Sequence, residues 1–186
     1  MDNYLNLLHG ETPKKKNLIL IYGIGAVVCA ILFWYYNQHS LFERALIGAI
    51  GLDIVGGIIA NLTHSTKSWW QRQSNWVQYT FLAVHIIHPI AFAYLAHLDL
   101  KVMLLLFVYV WLSGFILINL KGELNRIFTI IFGGLGIFLF LGIGLGMSAN
   151  WFIIAYILKL VVGFCIKEKS HEGIPVSNKS YDAFAA

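Results

Sequence analysis

The chain is 186 residues long, 59% hydrophobic and only 12% charged, with a net charge of +4. A soluble domain carries about twice that charged fraction. Apolar runs of about 20 residues recur along the chain, the length a bilayer demands, so the composition excludes a soluble globular domain and predicts an all-α polytopic membrane protein. The basic residues flank the apolar runs, where they set topology rather than contact nucleic acid.

Residues 1–16 are polar and end in Lys14-Lys15-Lys16. The run Leu18–Tyr36 is too long for a signal-peptide core and no small-residue cleavage site follows it, so it reads as a retained first span. Trp34, Tyr35 and Tyr36 are expected at the interface as an aromatic belt. After a loop at Asn37–Arg44, the second span is expected over about Leu46–Leu62 and carries Asp53, Gly56 and Gly57. Thr63–Asn75 reads as a polar, Trp-rich connection. The third span, about Trp76–Ala96, holds Gln78, His85, His88 and Pro89. His97–Lys101 turns into a fourth span, Val102–Leu120, and Lys121–Arg126 returns the chain into a glycine-rich fifth, Ile127–Met147. Trp151–Ile166 makes the sixth, and the tail 167–186 is polar. The expected organisation is an N-terminal segment 1–16, a six-helix transmembrane domain 17–166 and a C-terminal tail.

Alternating the loops places ten Lys and Arg residues on one side of the membrane and only Arg44 and Lys101 on the other. The basic side is cytoplasmic by the positive-inside rule, which puts both termini inside, in agreement with an even number of spans. The expected location is the plasma (inner) membrane. Cys29 and Cys165 both fall inside spans and give no disulfide framework. Gly142 and Gly146 stand four apart, a spacing that lets two helix backbones approach closely, and the fifth span is therefore the expected face for any oligomer.

Ionisable residues inside a span are expensive and mark function by default. At about 100° per residue, Asp53, Gly57, Ala60, Asn61 and His64 share one face of the second span. Ser74, Gln78 and His85 share a face of the third, with His88 and Pro89 at its margins. Asp53 and His85 each lie about 14 Å from the cytoplasmic end of their helices. They are therefore expected to be neighbours at mid-membrane, with His88 a turn beyond. Lys159 in the sixth span is read as a snorkelling side chain rather than as the counter-ion of Asp53. His39, His97 and His171 are read as solvated loop or tail residues.

Three mechanisms suit that cluster. His64, His85, His88 and Asp53 could hold a divalent metal such as zinc or iron, which would activate a water as nucleophile. His-x-x-His spaces its rings about 60° apart and lacks the acidic residue of a zincin signature. Asp53, His85 and His88 could instead form a proton relay. Histidines on facing helices could also ligate haem, a weaker fit without an attachment motif. The residues Asn61, Ser65, Lys67, Arg72 and Gln78 collect hydroxyl, amide and cationic groups near the membrane surface, suited to a lipid headgroup or a small amphipathic ligand.

The leading expectation is a small integral membrane enzyme acting on a lipid or amphipathic substrate, with Asp53, His85 and His88 as catalytic residues. A proton-coupled transporter or channel using the same residues is the alternative, and a structural membrane subunit the second.

Overall fold

The structure is a computed structural model and describes residues 8–167. Its helices are α1 (Lys15–Tyr35), α2 (Leu41–Leu62), α3 (His64–Arg72), α4 (Asn75–Val84), α5 (Ile87–Leu95), α6 (Leu100–Asn119), α7 (Gly122–Gly142) and α8 (Met147–Ile157), which runs on as a π-helical stretch over Leu158–Phe164. Among the described residues there is no strand. Six segments are long and apolar enough to cross a membrane: α1, α2, α4 with α5, α6, α7, and α8 with its π-helical extension. The chain is thus an all-α bundle of six spans, the architecture of an integral membrane protein.

The span boundaries are written in short polar caps. Ser40 and Glu43 form a reciprocal capping box at the start of α2. The Thr63 side chain accepts the Thr66 N–H at the start of α3, Ser74 does so for Val77 at α4, and Asp99 for Lys101 at α6. Each satisfies a backbone donor that the first helical turn leaves open. Thr63 both ends α2 and begins α3, so the connection expected at Thr63–Asn75 contains a nine-residue helix. That helix folds onto the bundle. Trp69 and Trp70 are buried, with Trp70 packed on Phe81 and Phe164, whereas Trp76 is exposed. Of the expected aromatic belt, Trp34 and Tyr35 face outward and Tyr36 is wholly buried. Its hydroxyl donates to the Ser148 carbonyl and accepts from Trp151 Nε1 at 2.9 Å.

The last span is the axis of the bundle: 61% of it is buried, against 17% of α1. Phe92 of α5 stacks on Phe152 of α8 at 4.3 Å between ring centres, and both are fully buried with Tyr156 beside them. α1 packs tightly on α2, where a side chain at Gly48 would come within 2.8 Å of Cys29 Sγ and 3.1 Å of the Cys29 carbonyl oxygen. In α7 the tight positions are Gly133, against Val162, and Gly136, against Tyr109; Gly142 and Gly146 have nothing within 4 Å. Among the described residues, the expected Gly142/Gly146 contact is therefore not made.

Pro89 interrupts the third span. It has no N–H for the carbonyl four residues earlier, that of His85, and the chain turns at His85-Ile86 between α4 and α5. The His85 carbonyl is recovered by the His88 N–H at 3.1 Å and by the Tyr156 hydroxyl, which donates at 3.0 Å from α8. A kink in one span is thereby stitched to the central helix.

Candidate functional site

At that kink, three helices converge on Asp53. Its Oδ2 accepts from Lys159 Nζ at 2.7 Å and is 2.7 Å from His88 Nε2. Lys159 Nζ also donates to the Asp53 carbonyl at 3.3 Å. Lys159 is buried at the start of the π-helical stretch, and Asn61 donates to its carbonyl at 3.2 Å. The Lys159 stem lies against Gly57, where a Cβ would be 2.4 Å from its Cε. Snorkelling, the sequence-based expectation, is not what Lys159 does. It points across the bundle and is the counter-ion of Asp53, because the last span sits at the centre of the bundle.

The two histidines divide the roles differently from the expectation. The partner of Asp53 is His88, not His85, because the turn at His85-Ile86 breaks the regular helical phase and swings His88 towards α2. The His85 and His88 rings stack at 5.1 Å with 17° between their planes. His88 Nδ1 lies 3.4 Å from the His85 carbonyl, so both of its ring nitrogens face oxygen acceptors. A ring carrying two protons satisfies both, and a neutral ring only one. His85 Nδ1 lies 2.7 Å from the Phe81 carbonyl. A carbonyl only accepts, which assigns a proton to Nδ1; in the neutral ring Nε2 then carries the lone pair.

This cluster sits between two hollows. The first, about 370 Å³, is lined by α2 residues Asp53, Gly56, Gly57, Ala60 and Asn61, by His85 and His88, by Lys159, and by His9, Ile21 and Tyr22. The second, about 300 Å³, extends towards the opposite end of α2 between Leu46, Ile50, Ile87 and Leu95. Asp53 and His88 are the residues common to both linings.

The polar face read from α2 thus holds for Asp53, Gly57, Ala60 and Asn61. His64 departs from it, because α2 ends at Leu62 and α3 starts in a new direction. His64, Ser65 and Arg72 line a separate polar hollow with Glu11, Thr12 and Lys14, where Arg72 pairs with Glu11 at 2.9 Å and Ser65 Oγ accepts the Thr12 N–H at 3.2 Å. Lys67 lies on α3 and lines neither of these hollows. Gln78 is buried and donates to the Gln73 carbonyl at 3.0 Å, tying α4 to the end of α3. Among the described residues, His64, His85, His88 and Asp53 do not assemble a set of three metal-ligand atoms; the group that does is His39, Glu43 and His97. At Asp53 the place beside Oδ2 is taken by the Lys159 ammonium. His171 lies outside the described residues.

Sequence reasoning missed His9. It belongs to the polar N-terminal segment, yet it is buried, its Nε2 is 2.7 Å from the Tyr22 hydroxyl, and its Nδ1 has no hydrogen-bond partner among the described residues. Burial holds its pKa below the ordinary value. No periodic pattern surrounds it, and nothing in its local sequence marks it as a cavity residue.

No protein-family model, curated protein or solved structure matches this chain.

Proposed function

We propose that this membrane protein couples proton exchange to the movement of a small amphipathic molecule, with the Asp53–His88 pair as the junction. One observation carries the reading: Asp53 and His88 are the two residues shared by both hollows, and they meet at 2.7 Å between them. A proton arriving from either hollow reaches the same pair. With Lys159 charged and Asp53 ionised, the cluster is neutral when His88 is neutral and carries one positive charge when His88 is protonated. An uncompensated charge inside a bilayer is costly, so the protonation of His88 is tied to a balancing event, such as the entry of an anionic headgroup or the loss of a proton elsewhere in the cluster. The apolar walls contributed by Ile21, Leu52 and Phe81 suit the tail of such a ligand.

In this reading both termini are cytoplasmic, as the distribution of basic residues argues, and the larger hollow faces that side. No metal is required at Asp53, since Lys159 already neutralises it.

The test is proton uptake by proteoliposomes containing an internal pH-sensitive dye, under an imposed membrane potential and with a panel of short-chain carboxylate and ammonium amphiphiles. Uptake in the wild type that falls at least tenfold in folded Asp53→Asn supports the reading. Equal uptake in the two proteins removes it.

A second reading, an enzyme acting on a lipid or amphipathic substrate, is favoured by the lone pair on His85 Nε2, on a ring that lines the 370 Å³ hollow. A general base above an apolar cavity suits proton abstraction or water activation. Turnover of a lipid panel by the purified protein, lost in His85→Ala, distinguishes it from transport.

A further inference from the structure

At the other end of α2 from the N-terminal segment, two loops meet. His39 precedes the capping box of α2, and His97 stands in the turn between α5 and α6. Their rings stack at 5.3 Å with 16° between planes. Glu43 completes the group: Oε2 is 4.0 Å from His39 Nδ1 and Oε1 is 4.0 Å from His97 Nε2.

We propose that His39, Glu43 and His97 form a binding site for a divalent transition-metal ion, zinc foremost, that clamps the α1–α2 loop to the α5–α6 loop. The ligand atoms lie within 4.8 Å of one another. Tetrahedral zinc with bonds near 2.1 Å places its ligands about 3.4 Å apart. The atoms must therefore close by no more than about 1.4 Å, and the stacked rings must turn so that their in-plane lone pairs converge on one ion, movements for which the exposed His97 side chain has room. Two imidazoles and one carboxylate are a donor set that suits zinc and other first-row metals and does not suit calcium or magnesium, which demand oxygen.

The surroundings favour a cation. Glu43 Oε2 accepts the Ser40 N–H at 2.8 Å, a bond that fixes the carboxylate before any metal arrives. The neighbouring cation in sequence, Arg44, is turned away: its Nε donates to the Phe33 carbonyl at 2.8 Å and its guanidinium lies over the Phe33 ring. His97 holds φ at +52°, a left-handed conformation uncommon outside glycine, and this carries its ring over that of His39. Three protein ligands leave coordination positions open to water or a small ligand.

The experiment uses full-length protein free of any polyhistidine tag, stripped with chelator and titrated with zinc by calorimetry. Cobalt(II) serves as the optical probe. One equivalent should bind at micromolar affinity or tighter and raise the unfolding temperature. His97→Ala, which removes an exposed side chain, should weaken binding at least tenfold and abolish the zinc-induced thermal shift, each protein being read against its own metal-free form. His39→Ala should do the same to binding, and His85→Ala should keep the equivalent. The proposal is overturned if folded wild type takes up no equivalent, if His97→Ala binds as tightly as wild type, or if His85→Ala loses the equivalent and His97→Ala does not.

Discussion

The Lys159 ammonium and the Asp53 carboxylate meet at 2.7 Å, joining the central helix to α2 inside the bundle. The pair is asymmetric. Lys159 is almost fully buried, whereas Asp53 borders two hollows and is 46% exposed. Removing the acid therefore strands a buried cation, and removing the base leaves an anion that still has His88 and space around it. Asp53→Asn should destabilise the protein by about 3 kcal/mol, and Lys159→Met by clearly less. The double variant Asp53→Asn/Lys159→Met should recover most of the loss, because no lone charge remains. Thermal unfolding in one detergent checks this; equal losses in both single variants, or additivity in the double, would contradict it.

Tyr156 acts on the kink rather than on the charges. Its hydroxyl supplies the donor that Pro89 withholds from the His85 carbonyl. Tyr156→Phe should cost about 1 kcal/mol. In a Pro89→Ala background the backbone has its own N–H for that carbonyl, so the same substitution should cost less. A double-mutant cycle on unfolding temperature reads the difference. A Tyr156→Phe cost unchanged by Pro89→Ala would show that the two residues are not coupled.

How far the sequence led differs between helix and site. The six spans follow from apolar runs of bilayer length and were legible to within about five residues, whereas the caps at Ser40, Thr63, Ser74 and Asp99 emerge only from the structure. Asn61, Gly57 and Asp53 were legible as one lining because α2 is regular from Leu41 to Leu62. His88 was misassigned because phase counting assumes an unbroken helix, and the turn at His85-Ile86 resets it. Lys159 was misread because hydropathy reports depth and not which helix stands at the centre; a lysine on a peripheral span would snorkel. Asn125 was passed over within a loop, yet its buried amide donates to the Leu117 and Cys165 carbonyls at 2.9 and 3.0 Å and its Oδ1 accepts the Lys167 N–H at 2.8 Å. A polar residue that caps two other helix ends has no local signature.

Gly57 controls the ion pair through space alone. Its φ is ordinary, and the place of the missing Cβ is filled by the Lys159 Cε, 2.4 Å from where that carbon would stand. Gly57→Ala displaces the far end of the lysine side chain, and the expected shift weakens its 2.7 Å contact with Asp53. Proton uptake in Gly57→Ala should fall several-fold with the helical circular dichroism unchanged. Gly134→Ala, with nothing within 4 Å, is the control and should match wild type. Normal uptake in Gly57→Ala would mean that the Lys159 position is not critical.

His9 makes the docking of the N-terminal segment depend on pH. The segment is held by His9 on Tyr22, by the Thr12 N–H on Ser65 and by Glu11 on Arg72, and Gly10, at φ +73°, passes so close to Ser65 that a Cβ would lie 2.2 Å from its carbonyl oxygen. The groups lining the hollow with His9 are Tyr22 on α1, Asp53 on α2, His85 and His88 on the third span and Lys159 on α8. Burial lowers the His9 pKa below 6.5, so the docked segment favours the neutral ring and the undocked segment takes up the proton more readily. Docking is then complete above pH 6.5 and weakens as pH falls below it, towards the lowered value. Hydrogen–deuterium exchange of the segment, corrected for the intrinsic pH dependence of exchange, should lose protection between pH 7 and 5 in wild type. His9→Phe fills the site with a ring that cannot ionise and should flatten the profile. A wild-type profile already flat, or one that His9→Phe leaves unchanged, would assign the pH response to other groups.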